Sequence, residues 1–312
     1  MTALRIATRG SQLALWQAEM VRDRLRLLAP DREIELVIVK TSGDLRQDVP
    51  LSAVAGKGVF VREIESTLLL GDADLAVHSC KDLPSVETPG TTLAAFCPRH
   101  DPRDALISRH GGWNDLPDGA TVATSAPRRI AQLKHARPDL QFVAIRGNVD
   151  TRLAKLDRGD ADALVLAVAG LERLGLGDRI TERLPIALSL PQVGQGCVAV
   201  QCREDDTETV AMVRQACDDP ITRQSVTTER AFLARLGGGC TAPVAAHALR
   251  EGERLYLTAR VASPDGATML EARQSVSAQE PGGETALATA VFNELLEKGA
   301  KSLLVAGDED EE

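Results

Sequence analysis

Cys240 stands behind three consecutive glycines in "LGGGCTAP" (236–243). One glycine is enough to stop a helix with a Schellman-type turn; three leave room for something bulky beside the sulfur. A nucleophilic thiol needs an adjacent base. The nearest histidine in sequence is His247, and the end of a helix raises a thiol pKa rather than lowering it. A packed thiol, a nucleophile and a thioether attachment point all remain open for this cysteine. The second chemical group is Asp82 in "VHSCKDLP" (77–84). A carboxylate at the end of a strand among cations can stabilise a developing positive charge or move a proton. Its alternative is a surface pair with Lys81, which contributes little. His78 reads as a hydrogen-bonded structural histidine rather than a base.

The cations recur at one kind of position. Arg9 lies between a strand and a helix start, and Lys81 follows the strand "DLAVHS". Arg128 and Arg129 open a helix after "TVATS", Arg146 and Arg152 bracket the next strand-to-helix turn, and Arg173 follows a third. Ligands of open α/β sheets bind outside the carboxyl ends of the strands, near helix N-termini. Arginine forks there suit carboxylates and phosphates. Each arginine alone could be a solvated helix end; the repeated set points to a cleft for a polyvalent anion. "AGKGVF" (55–60) lacks P-loop spacing, and no G-x-G-x-x-G follows the first strand, so nucleotide binding is not supported. That segment reads as a mobile cationic loop carrying Lys57.

The elements that must position these groups follow a βαβ pattern. "LRIATR" is a strand, Ser11 an N-cap, and the next helix carries Leu13, Trp16, Met20, Leu25 and Leu28 on its apolar side. "EIELVIVK" and "ADLAVHS" are strands, with the helix "GVFVREIESTLLLG" between them. The pattern repeats after "CPRHDPRD" (97–104), and "LPQVGQG" (190–196) reads as a return crossing. From about residue 220 the character changes. A helix ends at the glycines, "RLYLTARVAS" and "ATMLEARQSV" form an antiparallel hairpin around "PDG", and a last amphipathic helix covers it. The expected fold is therefore α/β: two lobes joined by a two-strand hinge, plus a small C-terminal α+β domain. The expected domains are 1–98 with 197–217, 103–191, and 220–306, followed by an acidic tail at 307–312 that reads as disordered.

Composition sets the outer limits. The chain has 312 residues, too many for one ordinary core. Aromatics make up 3%, so the cores must be aliphatic. A formal net charge of −9 argues against nucleic acid or anionic membranes as bulk partners and makes a local arginine cluster notable. The longest apolar run, "ALVLAVAGL" (163–171), is far short of a membrane span. No secretory leader is read at the N-terminus. Six cysteines without a C-x-x-C pair suggest a cytoplasmic protein, and neither they nor the scattered histidines offer metal-site spacing. With no obvious apolar association surface, a monomer is expected.

Taken together, "RIATRGSQLALWQA", "GDLRQDVPL", "GKGVFVREIE", "DLAVHSCKDLP", "RHDPRDALIS", "TSAPRRIAQL", "IRGNVDTRLAKLD", "LAVAGLERLGL", "LPQVGQG" and "ERAFLARLGGGC" closely resemble porphobilinogen deaminases, the hydroxymethylbilane synthases. The resemblance runs in order from residue 4 to about 306. It implies two periplasmic-binding-protein-like lobes and a transferase of porphyrin (haem) biosynthesis. Such an enzyme joins four porphobilinogens head to tail, with release of ammonia, into the linear tetrapyrrole hydroxymethylbilane. It implies a dipyrromethane cofactor held covalently through Cys240, and Asp82 as the catalytic carboxylate. The cofactor and substrate carboxylates would fall to Arg9, Ser11, Lys57, Ser79, Lys81, Thr124, Ser125, Arg128, Arg129, Arg146, Arg152 and Arg173. The sequence departs from the family pattern at four places. Ala126 and Pro127 replace a serine and an aliphatic residue, and Asp150 replaces a glycine. Gly237 stands where an acidic residue is usual. Cys80, beside the active-site loop, is expected to be an oxidation or alkylation liability. Two rivals from other classes are a non-catalytic two-lobe anion sensor, which needs no third domain, and a thiol-dependent acyl transferase, which lacks its base.

Overall fold

The computed structural model describes residues 3–41, 61–237 and 242–305. In chain order the first elements are β1 (Leu4–Arg9), α1 (Gln12–Leu28), β2 (Ile34–Val39), α2 (Arg62–Leu69), β3 (Leu75–Ser79) and β4 (Thr91–Phe96). Then come β5 (Asp104–Ser108), β6 (Thr121–Ala123), α3 (Pro127–Ala136), β7 (Gln141–Val143), α4 (Val149–Arg158), β8 (Ala163–Ala167), α5 (Val168–Arg173) and β9 (Glu182–Arg183). The remainder is β10 (Val198–Arg203), α6 (Thr207–Cys217), α7 (Pro220–Arg235), β11 (Val244–Glu251), β12 (Arg254–Ala262), β13 (Met269–Ser277), α8 (Gly283–Glu297) and α9 (Ala300–Val305). Two compact units result, Met1–His100 with Gly196–Arg223, and Asp101–Gln195 with Gln224–Glu312.

The first unit holds a sheet of order β2-β1-β3-β10-β4, the second a sheet of order β7-β6-β8-β5-β9. The orders are the same when read by role: second βα strand, first, third, one reversed strand, edge. That shared order defines two lobes of one topology. In each, three strands are parallel, and the reversed strand (β10 or β5) is the first to follow a crossing. The chain leaves β4 and returns into β10 at the same end of the two strands, where Cys97 N–H donates to Val198 O (2.9 Å), so β10 runs back antiparallel. The βαβ reading expected parallel pairing and missed this reversal. The outgoing and return segments pair beyond the sheet of the first unit, where His100 N–H donates to Gly196 O (3.1 Å).

Both faces of the first sheet are covered, as a sheet with parallel strands requires. Leu4, Ile6, Leu75, Val77, Val198 and Val200 pack with Ala18, Val21 and Leu25 of α1 and Val213 of α6. Ala7 and Ala76 face Ile64 and Leu68 of α2. Each Leu, Ile or Val among them contributes about 1.5–3 kcal/mol by leaving water. The buried side of α1 differs from the expected one. Leu28 is exposed at the helix end, while Gln17 is buried at 2% exposure, because its amide pairs with Ser79 Oγ (2.9 Å).

The C-terminal sheet, order β11-β12-β13, is antiparallel throughout. Its apolar face (Leu255, Leu257, Ala259) packs on Phe232 of α7 and on Leu287, Val291 and Leu295 of α8. The expected hairpin is β12–β13; β11 is an additional strand whose alanine-rich sequence carries little β signal. This sheet shares the second unit with the second lobe. Arg260 of β12 donates to Gln132 Oε1 (2.9 Å) and Ala187 O (2.8 Å). The turn at Gly266 (φ +75°) lies so close to α3 that a Cβ there would sit 2.6 Å from Ala131 O.

Candidate functional site

On the first unit the chemistry-bearing residues meet at the carboxyl ends of two neighbouring parallel strands. β1 pairs β3 with Ile6 opposite Leu75 and Ala7 opposite Ala76; two more places along, Arg9 is level with His78. After β3 the chain makes one 3-10 turn, Cys80–Asp82, which sets Lys81 half-buried and Asp82 exposed. Ser11 caps α1, its side chain accepting from Ala14 N–H (3.3 Å). The strand order reverses between β1 and β3, so Asp82 and Arg9 sit at the topological switch point where open α/β sheets bind ligands. Ser79 is held from below by Gln17.

His78, directly under this turn, is not a base for the reaction. Burial pushes its pKa down to about 4. Its Nε2 lies 3.1 Å from Gln201 Oε1. Gln201 Nε2 in turn donates to Glu65 Oε1 (2.9 Å) and Thr91 Oγ1 (2.7 Å). Because the amide nitrogen is committed to those acceptors, Gln201 Oε1 can only accept, so the neutral His78 carries its proton on Nε2. Cys80, expected as an oxidation liability, is 2% exposed. Burial shields it, and the adjacent thiol of Cys197 is raised well above its ordinary pKa by burial and by its hydrogen bond to Cys80.

On the second unit Thr124, Ser125, Arg128, Arg129, Arg146, Arg152 and Arg173 gather around the carboxyl ends of β6, β7 and β8. They differ in how much of each is already engaged. Ser125 Oγ donates to Ile145 O (2.7 Å) and accepts from Ile145 N–H (2.9 Å), extending the β6–β7 pairing with its hydroxyl. Thr124 is buried, and Arg152 Nε donates to Gly147 O (2.7 Å). Gly147 (φ +111°) has no room for a side chain, since a Cβ would meet Thr151 Cγ2 at 2.7 Å. Arg128 and Arg129 are 5% and 6% exposed and both bind Asp104.

Asp104 escaped the sequence reading, which treated "CPRHDPRD" as a crossing. It is fully buried as the first residue of β5. Burial alone would raise its pKa, but the charges of Arg128 and Arg129 outweigh this and hold it well below the usual carboxylate range. Two guanidiniums against one carboxylate leave a net positive charge in a desolvated place. Arg128 Nε–H is buried and has no protein acceptor. Both observations fit a ligand that brings carboxylates of its own.

The departures from the family pattern also find their places. Ala126 is an N-cap without a side-chain hydrogen bond, and Pro127 opens α3, where its missing N–H costs nothing. Asp150 is exposed in the first turn of α4, where a carboxylate is favoured by the helix dipole. Gly237 follows α7 with a left-handed backbone (φ +75°), which glycine adopts freely; Cys240 and Lys57 lie outside the described residues, as do residues 238–241, the 55–60 loop and the acidic tail.

Fold and site together define a two-lobed α/β protein with an exposed acid, Asp82, beside Lys81 at the strand ends of one lobe and a buried arginine pair in the other. The chain belongs to the porphobilinogen deaminase family. Residues 4–211 match "Porphobilinogen deaminase, dipyromethane cofactor binding domain" and residues 223–297 match "Porphobilinogen deaminase, C-terminal domain". A porphobilinogen deaminase of Syntrophotalea carbinolica is 47% identical over 308 residues, covering 98% of this chain and 96% of that protein. One of Geobacter metallireducens is 48% identical over 301 residues, covering 96% and 93%. A solved VFT2 domain of Bordetella pertussis BvgS is 17% identical with a TM-score of 0.41, covering 69% of this chain and 86% of that one. The cofactor is dipyrromethane, and the chain is a transferase of tetrapyrrole biosynthesis that polymerises porphobilinogen to hydroxymethylbilane.

Proposed function

We propose that Asp82 is the catalytic carboxylate of this polymerisation and Cys240 the covalent anchor of the cofactor. The observation that carries the reading is the meeting of Arg9, Ser11, Lys81 and the exposed Asp82 at the carboxyl ends of β1 and β3. When bound, dipyrromethane supplies the nucleophilic pyrrole carbon to which incoming rings are joined. Asp82 stabilises the positive charge that develops on a porphobilinogen ring as its aminomethyl nitrogen leaves as ammonia. It then accepts the proton released when the newly bonded ring regains aromaticity. Arg9, Ser11, Lys81 and Lys57 hold carboxylates on the first unit. Thr124, Arg128, Arg129, Arg146, Arg152 and Arg173 do so on the second. For Ser79 and Ser125 the hydroxyls are already engaged within the protein, so their part is to keep the strand ends in place.

Residues 220–306 act as the cofactor-bearing domain, and the chain works as a cytoplasmic monomer on porphobilinogen alone. Intact mass of the denatured, purified protein tests the anchor. We expect an excess of two pyrrole units that disappears in Cys240→Ser; an unmodified wild-type mass after expression in cells making porphobilinogen would overturn it. For Asp82→Asn the cofactor stays attached while turnover falls by about 10²–10⁴-fold. Near-normal turnover in that variant would reduce Asp82 to a surface charge.

A further inference from the structure

Asp104 receives six donors. Its Oδ1 accepts from Arg128 Nη2 (3.0 Å), Arg129 Nε (3.0 Å), Arg129 Nη2 (2.7 Å) and Gln195 Nε2 (2.9 Å). Its Oδ2 accepts from Arg128 Nη1 (2.8 Å) and Ser189 Oγ (2.7 Å). A carboxylate offers about four lone-pair sites, so this one is saturated and has no capacity left for a ligand. Its effect must pass through the groups that hold it. Gln195 is equally committed: it donates to Pro102 O (2.7 Å) as well as to Asp104, and accepts from Arg128 Nη2 (3.0 Å). Arg128 Nη1 also reaches Leu190 O (3.0 Å), and Arg129 Nη1 reaches Val165 O (3.0 Å). Both guanidinium planes are therefore pinned from several sides. Arg128 Nε–H is the one donor of that fork with no acceptor.

A pair of buried arginines sharing one carboxylate is costly in isolation. Desolvation opposes both charges, and burial pushes the Arg129 pKa down. The arrangement is understandable if part of that cost is recovered when an anion binds. A pre-fixed fork loses little side-chain entropy on binding, and a single uncompensated charge in a dry site attracts a carboxylate more strongly than a solvated one does. We propose that Asp104 is the positioning residue of the second unit's carboxylate site. It fixes Arg128 and Arg129, with Ser189 and Gln195 holding it in turn, so that the pair presents one net positive charge to the carboxylates of the cofactor and growing chain. The proposal rests on the reading of Arg128 and Arg129 as ligand-binding residues.

The test uses the full-length chain as Ser189→Ala, Asp104→Asn and, for reference, Arg128→Met. Each is expressed in cells that make porphobilinogen. The holoprotein fraction is read by intact mass, KM and kcat for porphobilinogen by turnover, and the unfolding midpoint by circular dichroism. Asp104→Asn lowers the holoprotein fraction and raises KM by about tenfold or more, the effect of losing charged hydrogen bonds, with kcat of the remaining holoenzyme changed less than KM. Ser189→Ala moves KM in the same direction by a few-fold while its unfolding midpoint stays near that of the parent, which separates positioning from mere stability. Should Asp104→Asn fail to fold, Ser189→Ala carries the test by itself. Normal KM and holoprotein fraction in Ser189→Ala and in any soluble Asp104→Asn, beside a defective Arg128→Met, overturn the positioning role. A normal Arg128→Met overturns instead the carboxylate-site reading on which it rests.

Discussion

The two lobes share a strand order and treat their buried polar groups in opposite ways. In the first, the reversed strand β10 supplies Gln201, a neutral amide that joins neutral His78 to Glu65 and Thr91. In the second, the reversed strand β5 supplies Asp104, a full charge set between two arginines. The first lobe ties the Glu65 carboxylate to neutral donors beneath its strand ends and leaves its other acid, Asp82, exposed above them. The second builds charge into the layer beneath its own strand ends and leaves Arg128 and Arg129 almost wholly buried. One architecture thus supports an exposed carboxylate in one lobe and, in the other, a fixed positive field. The difference lies in the residue that the crossing strand brings in.

The comparison can be broken first at its charged end. Asp104→Ala leaves two buried guanidiniums without their counter-charge and should cost about 3–5 kcal/mol. Gln201→Ala takes one hydrogen bond each from His78, Thr91 and the Glu65 carboxylate, which keeps its bond from Thr88, and should cost about 1–3 kcal/mol. Urea unfolding of both variants decides the matter, and equal losses would erase the distinction between the lobes.

Acid should act on the two networks in different windows. The folded pKa of His78 is about 4, below its unfolded 6.5. Between those values the unfolded chain binds the proton and the folded one does not. The His78 contribution is therefore complete above pH 6.5 and declines as pH falls toward 4, by up to about 1.4 kcal/mol per pH unit. The folded pKa of Asp104 is also lowered, so its contribution is present above the ordinary carboxylate range and is lost only at stronger acid. Stability measured against pH in His78→Asn should lose the slope between 6.5 and 4; an unchanged slope would show that His78 is not its source.

Gly266→Ala comes next. A Cβ there meets Ala131 O at 2.6 Å in a backbone with φ +75°, and we expect a loss of more than about 1 kcal/mol, read as a lower thermal midpoint. Smallest is Asp150→Asn. Exposed in the first turn of α4, it should cost under about 1 kcal/mol with no change in KM for porphobilinogen. A changed KM would place that carboxylate against the ligand.

Much of this was legible in the residues. The N-cap at Ser11, the opening of α3 at Pro127, the β12–β13 hairpin and the strand ends bearing Arg9, Lys81, Asp82 and Arg128 follow from local patterns of capping, turn chemistry and alternation. Their counterparts depend on residues far apart in the chain. Gln17 meets Ser79 across 62 positions, His78 meets Gln201 across 123, and Arg128 meets Gln195 across 67. No periodicity of 2 or 3.6 reports such pairings, and a lone Asp or Gln in a polar crossing looks like surface.

The sequence by itself determined the element types, the family and the candidate acid, because these rest on local spacing and on motif order. Tertiary structure alone decided that each sheet carries one reversed strand, that Ser125 and Gln17 are internal braces, and that the arginines of α3 answer to Asp104. The physical reason is that direction in a sheet and partnership of a buried charge are set by long-range pairing under desolvation, where every polar group must find an acceptor or donor wherever the fold happens to bring one.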